Sequence, residues 1–295
     1  MSFSRRSALK TAAAAAFTAT ATAPWARAQG TIPSLYRASK EHIKQSVVPW
    51  CFAPMPPEDL ALFGAALGLK SVELIDPKHW PLLKELDLTC AIAGSHGFAK
   101  GFAHAEEWDE CLAKLRPRID ECAAFGCERV ITFSGFRRGL SDEEGIKNMV
   151  AGLKKIVPYA EEKKVTLCLE MLNSRVATEM KGHPDYFCDS MERSVEICKQ
   201  IGSPRMKVLF DIYHVQIMHG DVITRIKQHK DYIAHIHTAG VPGRNEIDAT
   251  QELNYPALMQ ALLDISYTGY VGQEFIPARP EKMASLAQGV QICDI

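Results

Sequence analysis

The sequence predicts an α/β fold, a single (β/α)8 barrel. Short β-rich apolar runs alternate with longer segments of helical periodicity, eight of the former in all. No Pro/Gly/Ser-rich linker interrupts the alternation. Once an N-terminal export segment is set aside, 267 residues remain, close to the roughly 250 of one such barrel. A doubly wound open sheet is the alternative, but no Gly-x-Gly-x-x-Gly follows the first strand and no P-loop pattern occurs.

The elements follow in order. Residues 1–28 read as a twin-arginine signal: Arg5-Arg6 in "SRRSALK", an Ala/Thr run, then Ala26-Arg27-Ala28 as a small-x-small cleavage site. The run is too short and too Ala-rich to span a bilayer. Residues 29–43 form a lead-in and 44–295 the barrel domain. Strands are expected at 46–52, 71–75, 88–93, 128–133, 165–170, 206–210, 232–237 and 269–274. Helices are expected at 57–67, ending at Gly68, and at 105–125, whose apolar residues recur at helical spacing up to Gly126. A third, 141–163, opens on the capping pattern Ser141-Asp142-Glu143-Glu144 and is interrupted near Pro158. Others are expected at 189–201, 221–229 and 255–265.

Charge and cysteines exclude several classes. The formal charge is −1 for the whole chain. Residues 1–28 carry four basic and no acidic residues, so the remainder carries −5. That leaves no basic footprint for nucleic acid and no polybasic membrane patch. The expected partners are a small-molecule carbohydrate or hydroxy-acid substrate and the twin-arginine export machinery, with a periplasmic destination. A homo-oligomer is compatible with the sequence. The nine cysteines are odd in number, irregularly spaced and without CxxC. They read as small buried hydrophobes rather than a disulfide framework.

Chemistry in a barrel sits at the C-terminal ends of its strands. The last four expected strands finish in "TLCLE", "VLFD", "AHIH" and "VGQE", that is, on Glu170, Asp211, His237 and Glu274. Singly, each has an ordinary reading: a helix cap, a loop carboxylate, a core histidine. Together, three carboxylates and an imidazole at one mouth repel and desolvate one another unless a cation joins them. The oxygen-rich set suits one divalent ion, Mg²⁺ or Mn²⁺, and one His with carboxylates also accommodates zinc. Further candidates are Glu73, within the second expected strand if its register turns it to the mouth, and His96, in a Gly-flanked loop after the third. Trp50 and Phe52 could wall the site, and the loop 174–188 could cover it.

These segments resemble the xylose-isomerase-like TIM-barrel superfamily of sugar isomerases and epimerases, and within it the hydroxypyruvate isomerase branch. The carrying stretches are 169–173 (LEMLN), 210–214 (FDIYH), 234–246 (AHIHTAGVPGRNE), 252–256 (ELNYP) and 269–274 (GYVGQE). The resemblance is strong over about residues 160–278 and weak before. It implies that Glu170 and Glu274 are both metal ligands and the acid/base pair, with Asp211 and His237 completing the metal shell. It implies substrate contacts from His214 and Arg244, and it places Asn173 and Glu246 among the candidates. The reaction implied is isomerisation of a small α-hydroxy carbonyl compound, hydroxypyruvate to 2-hydroxy-3-oxopropanoate, through an enediolate. One departure keeps a second reading open: hydroxypyruvate isomerases often carry Gln where this chain has His237, whereas the ketose 3-epimerase branch carries His. A third reading is an exported carbohydrate-binding barrel without turnover.

Overall fold

A computed structural model of the chain describes residues 36–295. The expected twin-arginine segment, and the lead-in as far as residue 35, lie outside the described residues. Seven parallel strands form one sheet: β1 Lys44–Val47, β2 Ser71–Val72, β3 Arg129–Thr132, β4 Thr166–Glu170, β5 Met206–Asp211, β6 Ile233–Thr238 and β7 Tyr270–Gln273, among the described residues. Their spatial order is β2-β1-β7-β6-β5-β4-β3. First and last strands are therefore neighbours, which the doubly wound alternative does not allow. The helices are α1 Pro57–Ala66, α2 Trp80–Glu85, α3 Trp108–Phe125, α4 Asp142–Leu153, α5 Val157–Glu162, α6 Met191–Ile201, α7 Ile212–Met218, α8 Val222–Gln228, α9 Tyr255–Asp264 and α10 Lys282–Cys293. Among the described residues none is long and apolar enough to cross a membrane.

The ring closes differently from the eight regular strands expected. The stretch 88–93 is not a regular strand. Thr89 bridges to Ser71 of β2 and Ala93 to Val130 of β3, with Val72 N–H donating to Thr89 O at 3.1 Å and Ile131 N–H to Ala93 O at 3.0 Å. Between these bridges the Ala91 N–H is taken by the Ser71 hydroxyl at 2.8 Å. A side chain satisfies the backbone donor that a continuous ladder would have used.

Two other strands are shorter than expected. β1 stops at Val47 because Pro49 has no N–H to give a ladder and opens a 3₁₀ turn, Pro49–Phe52. That turn carries Trp50 to the barrel mouth while Phe52 goes into the core against Phe275, 5.8 Å between ring centroids. β2 ends before Leu74, which adopts φ +51°, a conformation a strand does not tolerate.

The helix signals read as they should physically. Ser141 Oγ accepts from Glu144 N–H at 3.1 Å, and Gly126 and Gly202 end α3 and α6 at φ 93° and 74°. The segment 141–163 is two helices, with Pro158 in the first turn of α5, where its missing N–H costs nothing. β4 is buried along its whole length, as a parallel strand covered on both faces requires. All nine cysteines are buried and unpaired.

Candidate active site

Four strand ends converge at the mouth. Glu170 ends β4, Asp211 ends β5, His237 is the penultimate residue of β6, and Glu274 directly follows β7. Each offers one ligand atom, and these atoms lie within 4.8 Å of one another. All four residues are buried, none more than 5% exposed.

Asp211 divides its two oxygens between structure and site. Oδ1 accepts from Tyr213 N–H at 2.8 Å and His214 N–H at 3.2 Å, capping α7. Oδ2 faces inward, 3.3 Å from Arg244 Nη2. The helix-cap and site readings of this residue both apply, one to each oxygen.

His237 is held from behind. Its Nε2 lies 2.7 Å from Glu73 Oε1, and the same oxygen meets His235 Nε2 at 2.8 Å. A carboxylate there fixes a proton on Nε2 and turns Nδ1 toward the centre. Nδ1 sits 2.9 Å from Glu274 Oε2 and 3.7 Å from Glu170 Oε1, with no hydrogen-bond partner of suitable geometry. Space for the Glu73 carboxylate exists because residue 272 is glycine: a Cβ there would lie 2.3 Å from Glu73 Oε1. A buried, unpartnered imidazole nitrogen ringed by carboxylate oxygens is a donor set that fits a divalent cation. Glu73→Gln is expected to keep the hydrogen bond, lose the charge, and weaken divalent-ion binding by about 10–100-fold; calorimetric titration checks this.

The carboxylates differ in proton affinity. Burial pushes Glu170 up to about 7, with His237 opposing and Glu274 adding to the rise. Burial likewise raises Asp211 to about 6, against the pull of Arg244. For Glu274 burial also acts upward, but His237 and Arg244 outweigh it and hold the group down at about 2. Burial disfavours the charged form of His237, yet Glu274, Glu170 and Glu73 hold its pKa well above the usual value. A cation entering this site must therefore displace protons from Glu170, Asp211 and His237. Affinity should rise with pH, by about tenfold or more from pH 6 to pH 8, with measurable proton release. Titrations at the two pH values in buffers of different ionisation enthalpy check both.

Arg244 lies inside this cluster, 3% exposed. Nη2 is 2.5 Å from Glu274 Oε2, and Nη1 donates to Met180 O at 2.7 Å. Its guanidinium also lies over the Trp50 ring, 5.2 Å from the centroid, while Trp50 Nε1 donates to Glu274 Oε1 at 3.2 Å. His214 is fully buried. Its Nδ1 accepts from the Asn173 backbone N–H at 3.0 Å and from Asn173 Nδ2 at 2.7 Å, so the ring proton belongs on Nε2. That nitrogen has no hydrogen-bond partner and lies 3.7 Å from Asp211 Oδ2.

The remaining sequence candidates take other places. Asn173 orients His214 and does not line the cavity. His96 is tied to Lys100 O at 3.1 Å and Thr132 Oγ1 at 3.0 Å. Glu246 braces the chain after β7, accepting from Ala278 N–H at 3.1 Å and Ser285 Oγ at 2.8 Å. Glu73 stands beneath the centre rather than at its surface. Sequence reasoning overlooked His235, although residues two apart on a strand share a face and His235 therefore had to accompany His237 inward. A cavity of about 240 Å³ opens beside the cluster, lined on its charged side by Glu170, Glu274 and Arg244. Phe98, Phe133 and Leu172 make much of the remaining wall, and Met180 and His183 of the loop 174–188 close over it.

Fold and site together define a parallel (β/α) barrel with an acidic, histidine-bearing metal-type centre at the C-terminal mouth. A family model described as "Xylose isomerase-like TIM barrel" matches residues 65–292, and the chain belongs to that family. It is 27% identical over 252 residues to a putative hydroxypyruvate isomerase of Homo sapiens, covering 83% of this chain and 84% of that one. It is 40% identical over 113 residues to the 2-oxo-tetronate isomerase of Cupriavidus necator, covering 38% and 41%. The solved structure of a 3-keto-D-glucoside 4-epimerase from E. coli superposes with a TM-score of 0.71 at 18% identity, covering 85% of this chain and all of that one; at that identity the likeness is one of fold. The chain is an isomerase of the hydroxypyruvate isomerase-like branch.

Proposed function

We propose that the protein is a metal-dependent isomerase of a small α-hydroxy carbonyl acid, of the hydroxypyruvate to 2-hydroxy-3-oxopropanoate type, working through an enediolate. The observation that carries this reading is the pair Glu170 and Glu274, both facing one small cavity. Two carboxylates on one cavity can take a proton from one carbon and return one at its neighbour. Ionised Glu274 is placed to accept a proton from the carbon bearing the hydroxyl. Glu170, facing the same cavity, is placed to return a proton at the neighbouring carbon. A divalent cation held by Glu170, Asp211, His237 and Glu274 supplies positive charge to the substrate's carbonyl oxygen. His214 offers its Nε2–H to a substrate hydroxyl or developing oxyanion. The planar fork of Arg244 matches a substrate carboxylate, and the mostly apolar wall keeps water from the reacting carbons.

Hydroxypyruvate incubated with the metal-loaded protein in deuterated water should acquire deuterium at the carbon that receives the proton, read by NMR. Exchange only at C3 of a ketose would replace this reading with a 3-epimerase. Sugar binding with no exchange would replace it with a binding protein. Location belongs to the same proposal: the twin-arginine segment directs the folded protein to the periplasm. A tagged wild-type fusion should reach the periplasm, whereas the Arg5→Lys/Arg6→Lys variant should stay cytosolic. Equal distribution of the two would remove the export claim.

A further inference from the structure

Trp50 reaches the mouth on a well-anchored turn. Pro49 opens the 3₁₀ turn that carries it. Val48 N–H donates to Gln273 O at 3.2 Å, tying the start of that turn to the residue before Glu274. Phe52, in the same turn, packs edge-on against Phe275, the residue after Glu274. Backbone on one side and core on the other thus fix the indole relative to the Glu274 carboxylate. The ring is half-buried and shares the cavity wall with Glu274 and Arg244.

The two oxygens of Glu274 meet different partners. Oε2 lies 2.9 Å from His237 Nδ1 and 2.5 Å from Arg244 Nη2, so it is the oxygen turned to the charged cluster. Among the described residues Oε1 takes one hydrogen bond, from Trp50 Nε1 at 3.2 Å. The last torsion of a glutamate is soft and roughly two-fold, and a carboxylate can give a cation one oxygen or both. The indole N–H removes that freedom. It occupies one acceptor site of Oε1 and leaves that oxygen another. We infer that Trp50 is a positioning residue: its N–H holds the Glu274 carboxylate in one orientation, with Oε2 serving the cation and Oε1 kept back as the oxygen that takes the substrate's proton. This rests on the isomerase reading above for the part Glu274 plays.

The test is Trp50→Phe in the full chain, which removes the N–H and keeps an aromatic ring under the Arg244 guanidinium. With saturating Mg²⁺ and hydroxypyruvate as substrate, kcat should fall by about 10–100-fold, with KM within about twofold of wild type. Mg²⁺ affinity, read by calorimetry, should hold or tighten, because Oε1 is released to the ion. Unchanged kcat, a loss confined to KM, or Mg²⁺ affinity that falls in step with kcat would overturn the inference. A second readout needs neither the variant nor turnover. In wild type the indole ¹H–¹⁵N resonance of Trp50 should stay at a hydrogen-bonded position when Mg²⁺ is added. Movement to the position of a free indole would mean that the ion has taken Oε1, and would overturn the inference as well. If wild type does not isomerise hydroxypyruvate, the isomerase reading fails by itself, and the resonance still decides whether Trp50 holds Glu274.

Discussion

Glu170→Gln is expected to lower solvent-deuterium exchange into substrate by about 10²–10⁴-fold, the range spanned by loss of a positioned acid or base. The amide can neither accept nor return the substrate's proton. It also removes one of the four ligand atoms that meet within 4.8 Å. The variant should therefore lose divalent-ion affinity together with turnover, and saturating metal should restore little of the rate. Exchange followed by NMR, with metal titrated in parallel, separates the two losses. Full activity in this variant would show that Glu170 has no part in the chemistry.

Arg244→Ala should be the most destabilising change at the mouth, and its cost should depend on metal. Arg244 is buried between Glu274 at 2.5 Å and Asp211 at 3.3 Å. Removing one partner of a buried ion pair costs about 3–5 kcal/mol, because the surviving charges lose their compensation. For a domain of this size that is a fall in Tm of about 10 °C. With chelator present the full fall is expected. With a saturating divalent cation the fall should be much smaller, since the ion supplies the charge that offsets Asp211 and Glu274. Thermal unfolding of wild type and variant, each with and without the ion, gives the comparison. Loss of the guanidinium should also raise KM for an acidic substrate more than it lowers kcat.

Why these residues were legible in the sequence is a matter of strand chemistry. A run such as Met206 to Phe210, apolar and then ending on a carboxylate, marks a strand crossing the core and reaching its mouth. Four such endings in succession set Glu170, Asp211, His237 and Glu274 together without any knowledge of distances. What lay beyond that reach has specific causes. The helix α7 was hidden because Asp211 serves as both site residue and N-cap, and its start looked like a loop. The third stave, 88–93, has strand composition but gives the Ala91 N–H to a serine side chain, which no periodicity reveals. Helices α2 and α10, which follow β2 and β7, were not expected. The pairing of Glu73 with both His235 and His237 spans more than 160 residues of chain; the strand alternation shows that the two histidines share a face, but not what they face. Asn173, His96 and Glu246 sit in suggestive segments, yet backbone and side-chain hydrogen bonds absorb them into the frame.

Everything proposed for the mouth depends on the four strand-end side chains making one metal centre. Chelator-treated protein titrated to equilibrium with Mn²⁺ and Mg²⁺, read by calorimetry and by metal analysis after gel filtration, decides this. One ion per chain is expected, with binding that tightens as pH rises and that is lost in His237→Ala while the fold is retained. A folded wild-type protein that takes up no divalent ion, or one whose uptake is unaffected by His237→Ala, would contradict it.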